Sequence, residues 1–492
     1  TLWVKDGNLK MNGDSDTLSV TEDIRLGSGS DAGFFGHNDH DGAIDARSLW
    51  IEVGTSTFTS TEGVLTLDGE LSDYVINNDG VFVHNSGTVT ITTAATTRID
   101  GAGVSGNQFY NLIINHASAV VEMYSDITVA NNLIITAGQL TTGVGGYGYS
   151  NLTVTGTTEI GPDSGAADQA TLTCNSSAVS LGSGITSSAY GLYVKQGGTF
   201  VGGSGTHTLG SLVVYNNAAA KCTLTSGVTT IDGEHGGENY AINIGGSAPT
   251  FAHGSGTVTI TRASDTRIRN AGAALALNNL IINHASAVIT LASNGLTCAG
   301  NLTVTAGEFG TGADKALTVT GDVSVAGTLT CNSSAVQCRG MDVSGSGTLT
   351  APDASGSLTI TGTQTGSSGN DAFDTEDGTT FTHSSGTITF TGNTNPQIRN
   401  RSGESFNNIV INTTGGTPIV ETQRDIAIAG TLTIVEGTFR SYGTNARTIT
   451  VTGDVSVEDG GTLGGGSANT ANHSFGSLTI ASGGTYTATS GT

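Results

Sequence analysis

Three aspartates, Asp39, Asp41 and Asp45, sit in the run His37-Asn-Asp-His-Asp-Gly42-Ala-Ile-Asp. Alternate oxygen-bearing side chains followed by a glycine that permits a sharp turn are what a Ca²⁺ loop requires. The match fails at both ends, since His37 occupies the first ligand position and Ser48 stands where a bidentate Glu is expected. Asp39, Asp41 and Asp45 are thus a candidate Ca²⁺ set, weighed against an ordinary acidic turn. A second acidic run, Asp371-Ala-Phe-Asp374-Thr-Glu376-Asp377-Gly378, falls at the position of Asp73 to Gly80 in an earlier repeat and reads as a solvated loop. His84, His253 and His383 occupy equivalent positions in three successive repeats. Stacked coils would hold them about 30 Å or more apart at ~4.8 Å per coil, so they read as turn histidines and not as ligands of one ion.

Other chemistries find less support. The cysteines at 174, 222, 298, 331 and 338 match neither zinc-site spacing nor a small disulfide framework. Buried free thiols are expected, with a Cys331–Cys338 bridge left open. A glycosidase needs two carboxylates about 5–10 Å apart across a groove, and a lyase needs acidic metal ligands with a basic proton acceptor. The acidic residues are scattered, there are five lysines, and Arg262, Arg267, Arg269, Arg399 and Arg401 cluster near equivalent turns, which suggests structural pairing. No aromatic platform advertises a glycan site. The seven Asn-X-Ser/Thr sequons (Asn151, Asn175, Asn301, Asn332, Asn400, Asn412 and Asn472) are expected by chance in so Ser/Thr-rich a chain. The chain reads as non-enzymatic.

The elements that position these residues are written three times. His84-Asn-Ser-Gly-Thr-Val-Thr-Ile recurs as His253-Gly-Ser-Gly-Thr-Val-Thr-Ile and His383-Ser-Ser-Gly-Thr-Ile-Thr-Phe. Each copy leads to an Asn-flanked apolar run beginning near Asn111, Asn278 or Asn407. Shorter forms such as Leu152-Thr-Val-Thr-Gly and Leu317-Thr-Val-Thr-Gly alternate apolar residues with Thr before a turn residue, the period-2 pattern of a half-buried strand. No stretch has a capped helical stripe, so the class is all-β.

Strands about every 10 residues, 74 glycines against 5 prolines, and 5% aromatics favour a solenoid over tandem β-sandwiches. The expectation is an elongated parallel β-helix or β-solenoid of three unequal long repeats, with coils of about 20 residues stacked ~4.8 Å apart. Residues 1–65 form a short N-terminal β segment, a cap or linker. Residues 66–229 form repeat 1, with insertions expected at 143–170 and 206–230. Residues 230–357 form repeat 2, and 358–492 an incomplete repeat 3. The last residues stop in mid-pattern, and both ends read as cuts in something longer.

A net charge of −24 argues against nucleic acid and anionic membrane surfaces as partners. No apolar run approaches the length of a membrane span, roughly 18 residues or more, so no membrane insertion is expected.

From residue 66 to 492, the motifs His-x-Ser-Gly-Thr-Val-Thr-Ile, Asn-Asn-Leu-Ile-Ile-Asn and Gly-Asn-Leu-Thr-Val-Thr-Ala-Gly resemble long β-solenoid repeat proteins of bacterial surface adhesins and phage fibre or appendage proteins. The resemblance implies an extracellular structural segment on a virion or bacterial cell surface, a rigid spacer. Its partners would be neighbouring subunits or segments of a larger fibre. An adhesin gripping surface glycans through its lateral face is the alternative, and a carbohydrate-active enzyme on a β-helix a second one. No catalytic motif is matched.

Overall fold

The computed structural model describes residues 1–11, 16–37, 41–101, 108–144, 148–162, 170–186, 189–366, 369–414, 418–442, 447–464 and 470–489. Every regular element among them is a β-strand, and the strands wind into a parallel β-solenoid of about 19 coils. The chain divides into two compact units, Thr1–Val258 and Thr259–Thr492.

In the first unit each coil contributes one strand to each of three parallel sheets. Sheet I begins with Leu2–Val4, Ile24–Leu26, Leu49–Ile51 and Tyr74–Asn78, in register Leu2 to Ile24 to Leu49 to Ile76. Sheet II begins with Leu18–Ser19, Ile44–Ala46, Val64–Leu67 and Thr88–Ile91. Sheet III begins with Gly7–Met11, Gly33–His37, Thr57–Thr59 and Val81–Val83. Two long strands, Asn111–Met123 and Leu133–Thr141, bend to serve sheets II and I in turn, with register shifts at Asn115 where they turn the corner.

Coil length varies with what is inserted. Thr158 pairs with Leu192 and Leu192 in turn with Leu212, so the first of these two coils is much the longer. The stretch 143–170, expected as an insertion, holds an antiparallel hairpin, Gly143–Val144 with Gly148–Tyr149, but also the regular coil strands Leu152–Val154 and Thr158–Ile160. The stretch 206–230 differs from expectation. It supplies the regular strands His207–Leu209, Leu212–Val214, Lys221–Thr223 and Val228–Ile231, so it is coil and not loop.

The second unit repeats the plan. One of its sheets holds Leu275–Leu277, Leu296–Cys298, Leu317–Val319, Ala335–Cys338, Ser357–Ile360, Thr387–Phe390 and Asn408–Asn412. Another begins with the first half of Asn279–Ser293 and continues through Val323–Val325, Met341–Val343, Asp371–Thr375 and Gln397–Arg399. The equivalent runs Leu280-Ile-Ile and Ile409-Val-Ile therefore lie on different sheets. Within this unit the two copies of the motif are thus turned about the coil axis as well as shifted along it.

Alternation fills the interior. Val89, Ile91, Leu112, Ile114, Leu133 and Ile135 are each 0–2% exposed, while Thr90, Ile113 and Ile134 between them are half-buried on the outer face. Burying such a side chain stabilises by about 1.5–3 kcal/mol. Sheet III adds an interior aromatic stack, with Phe35, Phe58 and Phe82 nearly parallel at centroid spacings of 4.9 and 5.8 Å. In parallel coils equivalent inward positions superpose, so one residue type extends into a column.

Side chains at the corners tie coil to coil. The Asn111 carboxamide oxygen accepts from Asn131 Nδ2 (2.9 Å) and from the Asn132 N–H (3.3 Å) in the next coil. Asn132 then accepts from the Thr157 N–H at 2.9 Å. Asn279 accepts from the Asn301 N–H at 2.8 Å, and Asn301 from the Asp322 N–H at 2.9 Å. These staircases satisfy corner donors that no strand partner reaches.

The recurring His-x-Ser-Gly has a structural cause. His84 Nδ1 accepts the Ser86 N–H, and His253 Nδ1 the Ser255 N–H, both at 2.9 Å. Ser86 and Ser255 have positive φ (60° and 67°), and the imidazole fastens that left-handed turn. The following glycine meets the coil beneath, where a Cβ on Gly87 would lie 2.0 Å from the Thr61 carbonyl oxygen and one on Gly256 2.3 Å from that of Gly227. His383 differs, its Nδ1 lying 2.5 Å from the Ser384 carbonyl oxygen, the geometry of an Nδ1–H donor.

Candidate functional site

Of the calcium candidates, two lie among the described residues. Asp39 lies outside them. Asp41 is exposed in the connection before Ile44–Ala46, and Asp45 faces outward on that strand, accepting from Ser19 Oγ at 3.5 Å. Ser48 is buried and donates to Asp23 Oδ1 at 2.8 Å, which commits it elsewhere. Among the described residues no group of three His, Cys, Asp or Glu side chains is placed to hold a metal ion.

The five cysteines are unpaired and buried. Burial pushes the Cys298 and Cys331 thiols up to about 12 and the others higher still, so none is a ready nucleophile. Asn400 of the sequons is fully buried, its Nδ2 donating to the Asp425 carbonyl at 3.0 Å.

The acidic run at 371–378 is in part the expected solvated loop, since Glu376, Asp377 and Gly378 are exposed in a turn, but its first half is not. Asp371–Thr375 is a strand, and Asp371 is 4% exposed. Asp342, Asp374 and Arg399 stand in register on three successive coils. Arg399 reaches Asp371 at 3.4 Å and Asp374 at 3.8 Å. Burial raises the Asp374 pKa to about 6; Arg399 opposes the shift, and Asp371, Asp342 and Glu376 add to it. Burial also raises that of Asp342.

A carboxyl so poised is what a general acid needs. Its setting is nevertheless the coil-to-coil ion pair used throughout. Arg25 pairs with Glu52 (2.6 Å), Arg98 with Glu122 (3.3 Å), Arg47 with Asp23 (2.9 Å) and Arg440 with Glu421 (2.6 Å). The Asp374 row is that device with surplus acid.

The second cluster was not legible as a site in the sequence, where no aromatic platform is evident; the fold assembles one. On sheet II of the first unit, strands Thr158–Ile160, Leu192–Val194 and Leu212–Val214 place Glu159, Tyr193 and Val213 in outward register. The residues following the latter two strands add Lys195 and Tyr215. Lys195 pairs with Glu159, and its ammonium lies 5.6 Å from the Tyr193 ring centroid. Tyr193 stands edge-on to Tyr215, with centroids 6.2 Å apart.

Tyr190 arrives from the long connection before its strand. That connection is anchored where Ser183 Oγ and the Gly184 N–H donate to Asp232 (2.5 and 2.8 Å). The Glu234 N–H donates to the Ile185 carbonyl at 3.1 Å. The Tyr190 ring is sandwiched between Tyr193 at 4.4 Å and His235 at 4.0 Å, and His235 Nδ1 contacts the Ala189 carbonyl at 3.3 Å. Burial, with neighbouring Tyr190 also contributing, raises the Tyr193 pKa to about 12, so the phenol stays protonated.

Glu159, Tyr190, Tyr193, Lys195 and Tyr215, with Pro162 and Gln196, bound a cleft of about 300 Å³. The sequence signal was Tyr190-Gly-Leu-Tyr193-Val-Lys195 with Tyr215 one coil later, which gains meaning once coil length is known.

Comparison with protein-family models, with curated proteins and with solved structures returns no match.

Proposed function

We propose that the chain is a non-enzymatic, load-bearing structural segment of a larger extracellular appendage, on a virion or a bacterial cell surface. The observation that carries this reading is the unbroken parallel ladder within each unit over an interior of Leu, Ile, Val and Phe at 0–2% exposure. Each coil contacts its neighbours, so added coils add reach without a new core. Corner staircases and coil-to-coil ion pairs commit polar side chains to the stack. The buried thiols leave no accessible sulfur to scramble in oxidising surroundings. Neighbouring segments of the same appendage are the partners this role requires.

Two assays test the reading. Proteinase K at a concentration that degrades an ordinary globular domain should leave both units largely intact, and a panel of neutral and acidic polysaccharides should yield no new reducing ends or unsaturated products. Rapid digestion of both units, or turnover of any polysaccharide that depends on Asp374, would overturn it.

A further inference from the structure

The cleft around Tyr215 is not needed by the stack. Beneath it Leu192, Val194, Leu212 and Val214 already fill the interior. Tyr215 is 42% exposed, in a chain with only 5% aromatic residues, and it lines the cleft with Tyr190 and Tyr193 while His235 stacks on Tyr190. Elsewhere on the same unit the rings of Tyr74 and Tyr124 carry the Arg98 guanidinium at 5.9 and 5.8 Å, as Tyr193 in the cleft carries Lys195 at 5.6 Å, whereas Tyr215 presents its ring to solvent.

We infer that this cleft is a binding site for a neutral, pyranose-containing glycan. An aromatic face is electron-rich. The C–H face of a pyranose is apolar and weakly positive, so it stacks on such a ring while its hydroxyls need donors and acceptors at the rim. Tyr215 supplies the open ring and Tyr193 a wall edge-on to it. Glu159, Lys195 and Gln196 line the same cleft and supply the polar rim. Glu159 and Lys195 cancel each other's charge, and the chain as a whole carries −24, so an acidic glycan is repelled and a neutral one is not. A volume of about 300 Å³ suits a short saccharide, and such a volume is at the lower end of the range for small-molecule sites. The structural role stands whether or not the cleft holds a sugar.

Saturation-transfer NMR and calorimetry on the full chain, with chitohexaose, cellohexaose and maltohexaose as neutral probes and oligogalacturonate as the acidic control, test the site. At least one neutral probe should bind with a Kd of about 0.1–1 mM. Tyr215→Ala should weaken it about tenfold, and Tyr215→Phe should stay within about twofold. Unfolding midpoints measured alongside show that Tyr215→Ala is folded; should it not be, Tyr190→Ala carries the same expectation of weakened binding. The inference is overturned if no neutral probe binds at ~10 mM, if Tyr215→Ala leaves affinity unchanged, or if the acidic control binds as tightly. Loss of sugar binding with protease resistance intact would remove the site and leave the structural reading standing.

Discussion

The flank around Tyr193 in the first unit and the flank around Asp374 in the second are built alike and carry opposite chemistry. Both are rows of outward side chains in register on successive coils: Glu159, Tyr193 and Val213 in one, Asp342, Asp374 and Arg399 in the other. One is aromatic with its single ion pair balanced. The other gathers more carboxylate than its arginine can offset, and the Asp374 pKa rises. The inward positions beneath both rows are buried and mostly apolar: Leu192, Val194, Leu212 and Val214 in one, Met341, Val343, Phe373 and Ile398 in the other, where Thr375 and Asn400 are buried as well. The ladder and the interior thus set what a coil must be, and leave its outward residues free to differ.

If the interior is common to both units, breaking it must cost alike in each. Phe58→Ala, in the stack between Phe35 and Phe82, and Phe373→Ala, against Phe381 and Phe406 at 5.2 and 5.4 Å, should each destabilise by about 3–5 kcal/mol. Hydrogen exchange resolved by unit measures this; a large cost in one unit and none in the other breaks the parallel.

Acid should separate the units. His207 is 2% exposed, edge-on to Phe200 at 5.8 Å, and burial lowers its pKa to about 4 while the Gly202 backbone opposes the shift. The unfolded chain takes up this proton near pH 6.5, well before the folded one does. The contribution is therefore complete above about pH 6.5 and is lost as pH falls towards 4, by about 3 kcal/mol at most. His207→Leu should flatten that slope in denaturant titrations of the first unit.

Asp374 acts with the opposite sign. Its folded pKa of about 6 exceeds the unfolded 3.8, so the folded state holds the proton longer and the second unit gains stability as pH falls from about 6 to 3.8. An NMR titration should place the carboxyl midpoint near 6, and Asp374→Asn should raise stability at pH 7 by about 1 kcal/mol. Parallel slopes in the two units would refute the contrast.

The smallest effect concerns what the flanks share. Asn132→Ala and Asn301→Ala each remove one corner acceptor, from the Thr157 and Asp322 N–H groups, and should each cost about 1 kcal/mol by equilibrium unfolding.

The sequence made the architecture legible because its determinants are local and repeated. Alternation in Leu152-Thr-Val and Leu317-Thr-Val marked strands, and the thrice-written His-x-Ser-Gly marked a corner. Its cause is an imidazole fastening a left-handed turn and a glycine touching the coil below, and the glycine's contact joins coils that no single stretch of sequence contains. His116 and His284, whose Nδ1 atoms accept the Ser118 and Ser286 N–H groups at 3.2 Å, do similar work at the bends of the long strands. Sites were less legible because they depend on which residues superpose. A long coil from Thr158 to Leu192 and a short one from Leu192 to Leu212 bring Glu159, Tyr193 and Val213 into one row, and nothing local announces those lengths. For the same reason Asp371 read as loop, although pairing of its strand with Met341–Val343 buries it.

Pulling single molecules through their two ends tests the load-bearing claim most directly. A stack of coils that each pack on their neighbours should resist extension in steps that release about one coil each, roughly 20–30 residues or ~70–100 Å of contour. Featureless entropic extension without resisting steps would contradict it.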